Sequence, residues 1–284
     1  MLEQTFSGLW YINEAFAMRM HDMILPRLRA GKDPLPASYL RQQRPQTMES
    51  QSSTSVIDWD LEDLKDFLKT GGGDVAVVPI SGAMSRNGMC GYGNEYTARI
   101  LEKADSYAKV KAVVLKINTP GGTVDSTEML ADTVKNFSKP IVAWTPYCAS
   151  AGYFVASQAD AIVMENAVTS EVGSIGVLMV YTDYSKYLEK EGMDVTIFRA
   201  DGSEDKALIN GIEPLSEELK AEIQGDLNAC RKAFLGYVRR GRAGKLQSDE
   251  VFSGKMYKKE AAIRLGLADR IGTLSDAVKR ARKM

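Results

Sequence analysis

The stretch Pro140-Ile-Val-Ala-Trp-Thr-Pro-Tyr-Cys-Ala-Ser-Ala-Gly-Tyr153 decides how the chain is read. Its first five residues form a short apolar run without polar alternation, the pattern of a strand buried on both faces of a parallel sheet. Its last six, from Cys148, place a serine among small residues at a turn. They lead into a helical stretch over about 149–158. The same alternation extends outward from there. Residues 75–80, 112–117 and 161–164 are further apolar runs, and helical stretches over 95–107 and 126–137 separate them. Strands alternating with helices predict an α/β domain with a largely parallel sheet. A longer helix is expected over 216–239, opened by Ser216, with acidic residues at Glu217 and Glu218.

Composition changes near residue 70. Residues 9–28 fit an amphipathic helix with Trp10, Phe16, Met20 and Ile24 among its apolar positions. A polar stretch over 31–55 with Pro34, Pro36 and Pro45 reads as a linker. A short helix over 59–68 then ends at Gly71, Gly72 and Gly73. The expected division is a helical arm and linker over 1–70 and a catalytic domain over 71–284, long enough to bury its own core.

Lys and Arg number 36 and Asp and Glu 37, so no global basic field marks a nucleic-acid binder. Three cysteines, Cys90, Cys148 and Cys230, stand far apart with no C-x-x-C pair, which argues against a disulfide framework or a cysteine zinc site. No apolar run approaches the roughly 20 residues of a membrane span. Glu3 and Gln4 stand where a signal peptide carries positive charge, so the chain reads as soluble and unexported. The single histidine, His21, would have to serve any histidine-based triad or metal site.

Three glycine-bearing turns follow expected strands: Asn118-Thr-Pro-Gly-Gly-Thr123, Cys148-Ala-Ser-Ala-Gly-Tyr153 and Gly173-Ser-Ile-Gly176. Adjacent glycines free backbone N–H groups to face a ligand. A serine at a strand-to-helix turn can present its hydroxyl beside such groups as a nucleophile, or it can simply cap the helix. Ser150 is open to both readings. If it attacks a carbonyl, a base is needed, and His21 lies in the arm. Lysine is an alternative where its surroundings favour the neutral amine, and composition does not say which lysine.

Thr119-Pro-Gly-Gly122, Ala149-Ser-Ala-Gly-Tyr153, Gly173-Ser-Ile-Gly-Val177 and the tail from Phe252-Ser-Gly-Lys255 to Gly-Leu-Ala-Asp-Arg-Ile-Gly272 occur in one order. Together, over about 74–278, they resemble the signal peptide peptidase A family of Ser-Lys serine peptidases. The resemblance implies a Clp-protease/crotonase-like spiral of ββα units, here with a helical amino-terminal extension. It implies Ser150 as nucleophile and Lys206, after an expected strand at 195–198, as general base. Ser174 matches a serine that hydrogen-bonds the lysine, and Gly121 or Gly122 with Ala151 match the oxyanion donors. Two departures are visible: Ala151 fills a slot where the family more often has glycine, and Glu204 and Asp205 directly precede Lys206.

Without a membrane span, the chain is most similar to the capsid assembly (head maturation) branch of phages and prophages. That branch implies a homo-oligomeric ring, polypeptide substrates such as scaffold or portal-associated proteins, and a place in the host cytoplasm or procapsid. A cytosolic peptide-degrading peptidase, an acyl-CoA enzyme of the crotonase kind and a non-catalytic capsid assembly component are the competing expectations. No metal or organic cofactor and no nucleic-acid partner are expected.

Overall fold

A computed structural model describes residues 10–12, 58–88 and 91–284. The expected linker, most of the expected arm helix, His21 and Cys90 lie outside the described residues. In chain order the elements are β1 (Trp10–Ile12), α1 (Trp59–Thr70), β2 (Val75–Ser81), α2 (Asn94–Ser106), β3 (Ala112–Thr119) and β4 (Gly121–Thr123). Then come α3 (Thr127–Lys135), β5 (Ile141–Ala149), α4 (Ala151–Ala156), β6 (Ala161–Met164), β7 (Glu171–Gly173), α5 (Ser185–Lys190) and α6 (Glu217–Gly241). A 3-10 turn (Asp249–Ser253), β8 (Met256–Lys258), α7 (Lys259–Arg264), β9 (Arg270–Ile271) and α8 (Leu274–Lys283) complete the chain.

Strands β2-β3-β5-β6-β9 run parallel in that order, and β7 joins the end of β5 in parallel and β8 antiparallel. In β2, Ala76, Val78 and Ile80 enter one core while Val75 and Val77 enter another. The period of two is that of a pleated strand, and burial on both sides explains why the runs lack polar alternation. The first core gathers Leu101, Leu130, Phe154 and Phe234 from the helices. The second is closed by α8 through Ala277, Val278 and Ala281. A capping box between Thr273 and Asp276 starts α8, and Arg282 ties its end to Asp74 at the entrance of β2.

The strands are grouped with short companions that leave the sheet. β3 is followed by β4 and α3, and β2 by a one-residue bridge from Met84 to Gly122 and then α2. This repetition of strand, short strand and helix agrees with the ββα units expected from the sequence.

Residues 59–70 pack against the sheet layer. Leu64 and Leu68 of α1 are buried in the first core, Asp58 caps the helix and pairs with Lys103, and Tyr96 donates to Asp63. Two expected elements differ. Trp10–Ile12, placed in an amphipathic helix by period, is a strand laid on β4. Aromatic and β-branched residues suit a ladder, and a partner more than a hundred residues away overrode the local pattern. Residues 195–198 form no strand, and Val195 and Phe198 are exposed. Here the β-branched run meets no free sheet edge, so its composition has no ladder to join. The long helix starts as expected, with Ser216 Oγ accepting from Leu219 N–H.

Candidate active site

β5 delivers Ser150. Its first half, Val142–Thr145, pairs with β6, and its second half, Tyr147–Ala149, pairs with β7. Between them the register against β3 shifts, as Lys116 faces Trp144 but Asn118 faces Tyr147. Pro146, with no N–H to donate, sits in that bulge. The bend carries the carboxyl end of β5 out toward β7, and Ser150 N–H donates to Gly173 O at 2.8 Å.

Ser150 has φ 53° and ψ −115°, an orientation belonging to neither helix nor strand. A non-glycine residue held there costs on the order of 1–3 kcal/mol. The surroundings fix it from both sides. Ala149 is locked to Gly173, and Gly152 presses so near Thr119 that a Cβ would lie 2.2 Å from Thr119 Cγ2. Although Ser150 precedes α4, its side chain makes no capping hydrogen bond. The capping reading therefore falls. Its Oγ is buried and has no partner among the described residues, and an unpaired buried hydroxyl costs a further ~1–3 kcal/mol. Ser150 thus combines a strained backbone with an orphaned buried hydroxyl.

The Thr-Pro-Gly-Gly turn lies beside it, with α4 packed against β3, β4 and β5. Thr119 is buried, donates to Gly82 O at 2.5 Å and accepts from Gly121 N–H at 3.1 Å. Gly121 O accepts from Met84 N–H at 2.8 Å, and Thr123 N–H donates to Met84 O at 3.0 Å. Gly121 and Thr123 therefore face Met84. Strand alternation turns Gly122 N–H and C=O to the other edge. A Cβ on Gly122 would stand 1.8 Å from Met84 O, so only glycine fits. Ala151 N–H is the first of α4, with no intrahelical acceptor. Ala151 is wholly buried within the helix, so its methyl is accommodated.

Ser174 follows Gly173 and thus stands next to the Ser150 backbone, with φ 55° and its N–H donating to Lys255 O at 2.9 Å. Gly173 itself needs φ 130°, and a Cβ there would meet Lys255 O at 2.6 Å. Lys206 lies elsewhere, exposed on a loop clasped by Arg199. Arg199 donates to Lys206 O at 2.6 Å and to Ala207 O at 3.2 Å, and it pairs with Glu213 at 2.5 Å. Glu204 accepts from Gly202 N–H in its own turn. Among the described residues, Lys206 makes no ion pair with Glu204 or Asp205 and no hydrogen bond with Ser150 or Ser174. The structure thus joins Ser150, Gly121, Gly122, Ala151 and Ser174, and holds Lys206 on a separate, locally ordered loop. Thr119, Met84 and Lys255 were not singled out from sequence. They act through backbone or a single hydroxyl; Thr119 and Lys255 stand inside quoted motifs that give them no role, and Met84 stands in none.

Burial pushes the Cys148 thiol well above its usual range, which suits a packing residue under the turn. Among the described residues no cluster of His, Cys, Asp and Glu is arranged to hold a metal, and no helix is long and apolar enough to cross a membrane.

The model of peptidase family S49 matches residues 133–284, more than half of the chain. The chain belongs to peptidase family S49. A second model, the N-terminal domain of NfeD1b, matches residues 74–182. Among curated relatives, this S49 chain is 32% identical over 200 residues to Protease 4 of Haemophilus influenzae, covering 68% of this chain and 31% of the relative. It is 32% identical over 215 residues to capsid assembly protease C of Escherichia phage lambda, covering 72% and 48%. The chain therefore spans only about a third to a half of these relatives. A solved membrane protease specific for a stomatin homolog, from Pyrococcus horikoshii, aligns with TM-score 0.39 and 14% identity over 73% of this chain and 78% of that one.

Proposed function

We propose that the chain is a serine endopeptidase in which Ser150 is the nucleophile and Lys206 the general base. The conformation of Ser150, strained and with an unpaired hydroxyl, is the observation that carries this reading. The uncharged amine of Lys206 takes the proton from Ser150 Oγ as that oxygen bonds to the peptide carbonyl carbon. The resulting oxyanion is held by Gly122 N–H and Ala151 N–H. The ammonium returns its proton to the leaving nitrogen as the C–N bond breaks, and water repeats the sequence to free the acid. Ser174 holds the lysine in line. Gly122 rather than Gly121 is assigned because the Gly121 amide is already bonded to Thr119.

Lys206 must come to Ser150, either by closure of its own loop or from a second copy of the chain. The segment between β7 and α6 exposes Val180, Tyr187, Met193, Val195 and Phe198, the last at 92%. So much unpaired apolar surface on the loop that bears the base favours a second copy as its cover. Mixing Ser150→Ala with Lys206→Ala tests this: restored hydrolysis of an unfolded polypeptide places the pair across a subunit boundary. Undiminished hydrolysis by Ser150→Ala alone refutes the peptidase reading.

For the biological role, similarity to the lambda capsid assembly protease supports processing of scaffold or portal-associated polypeptides in a procapsid or host cytoplasm. Equal identity to Protease 4 keeps a peptide-degrading, signal-peptide-peptidase-like role as the second reading. Cleavage of co-expressed capsid scaffold, set against cleavage of free signal peptides, separates them.

A further inference from the structure

β1 is laid antiparallel on β4, with Trp10 opposite Thr123, Tyr11 opposite Gly122 and Ile12 opposite Gly121. The other edge of β4 is already engaged by Met84. The peptide groups of Gly122 therefore face Tyr11, and in an antiparallel ladder residues so placed exchange both hydrogen bonds. The Tyr11 carbonyl thus meets Gly122 N–H, the amide assigned above to the oxyanion. Ser150 is meanwhile fully buried, although a nucleophile has to be reached.

We infer that β1 is an intramolecular substrate mimic. It occupies the β4 edge on which an extended polypeptide would pair, with Tyr11 in the place of the acyl-donor residue, and its departure opens the site. This deepens the peptidase reading and rests on it. The register is what a substrate needs: one backbone carbonyl at the oxyanion amide, and neighbouring residues continuing the ladder along β4. The hold is weak by design of its length. Three residues in a two-stranded ladder are marginal alone. A good substrate or a partner of the arm can displace it.

The test uses the full chain carrying Tyr11→Pro or Ile12→Pro. Proline at 11 deletes the N–H facing Gly122 O. Proline at 12 deletes an N–H that points away from β4, which an edge strand tolerates. Two readouts are taken: amide hydrogen exchange over 119–125 and the rate at which a fluorophosphonate labels Ser150. With one backbone hydrogen bond lost, Tyr11→Pro should speed both about two- to tenfold. Ile12→Pro should match the parent, and a synthetic peptide of residues 6–16 should slow labelling of Tyr11→Pro. Equal labelling of a reactive Ser150 in Tyr11→Pro and parent overturns the inference and leaves the peptidase reading intact. Faster exchange with Ser150 inert in every protein overturns that reading and this inference together. A chain beginning at Ile12, released by the parent and not by Ser150→Ala, makes β1 a substrate and overturns its role as a mimic.

Discussion

Replacing Gly122 by alanine separates the catalytic backbone from the stability of the fold. A Cβ at this position lies 1.8 Å from Met84 O, 2.5 Å from Met84 C and 2.6 Å from Met84 N. All three are backbone atoms fixed by the bonds of Met84 to Gly121 and Thr123, so no side chain can swing aside. The turn has to move by an ångström or more, carrying Gly122 N–H away from the oxyanion position. Overpacking of this kind costs ~1–3 kcal/mol, against a domain stability of roughly 5–15 kcal/mol, so the variant still folds. Loss of one oxyanion donor lowers kcat by about 10²–10³. The assay is hydrolysis of a fluorogenic peptide alongside a thermal melt. The expected result is a folded protein with a modestly lowered Tm, a KM near that of the parent and activity reduced by two to three decades. A folded Gly122→Ala with parental kcat would remove Gly122 from the oxyanion hole and the Met84 contact from its support.

Ser150→Gly should abolish hydrolysis and yet raise stability by about 1–2 kcal/mol in chemical denaturation, because glycine adopts φ 53° without strain and leaves no buried hydroxyl unpaired; a destabilised variant would refute the strain. Arg199→Ala frees the loop from the carbonyls of Lys206 and Ala207. It should lower kcat by about 10²-fold with little change in KM, a misplacement effect, and an unchanged kcat would remove the clasp from catalysis. Burial pushes the Asp269 carboxyl up, but hydrogen bonds and charge from Arg242, with Ile162 N–H and Lys245, outweigh it and leave it below the usual carboxylate range. Its stabilisation is fully present above the unfolded value of about 4 and disappears as pH falls through the lower folded value. Asp269→Asn strands the buried Arg242 guanidinium and should cost ~3–5 kcal/mol at pH 7; melts from pH 7 to 3 should show that gap narrowing below about pH 4.

What the sequence made legible was whatever depends on local periodicity and on small residues at turns. The runs at 75–80, 112–117 and 161–164 became β2, β3 and β6, because a strand buried on both faces must be apolar at every position. Ser150 stood out for the small residues that a sharp strand-to-helix turn requires. Its backbone conformation did not, since φ and ψ there are imposed by Gly173 and Thr119 from distant parts of the chain. Gly121 and Gly122 are indistinguishable as letters. Only the bond from Gly121 N–H to Thr119 Oγ1 separates their roles. The misread segments, 10–12 and 195–198, fail for opposite reasons. The first found an edge that local pattern cannot reveal, and the second found none.

The two halves of the candidate machinery differ in how they are held. Ser150, Gly122 and Ala151 are fixed by the core: β5 is paired on both sides, α4 is wholly buried, and the Met84 ladder pins β4. Lys206 rides on a loop ordered by Arg199 and Glu213 but open to water. A lysine works as a base only where its surroundings disfavour the ammonium, which requires loss of water and distance from carboxylates. The event that would bring Lys206 to Ser150 must therefore also desolvate it. Burying Phe198, Met193 and Val195 against a second copy does both at once: the apolar area removed from water drives association, and the same closure strips water from the amine. Activity should then rise faster than linearly with protein concentration, in step with sedimentation. Strict proportionality in a monomeric sample would move the closure back within one chain.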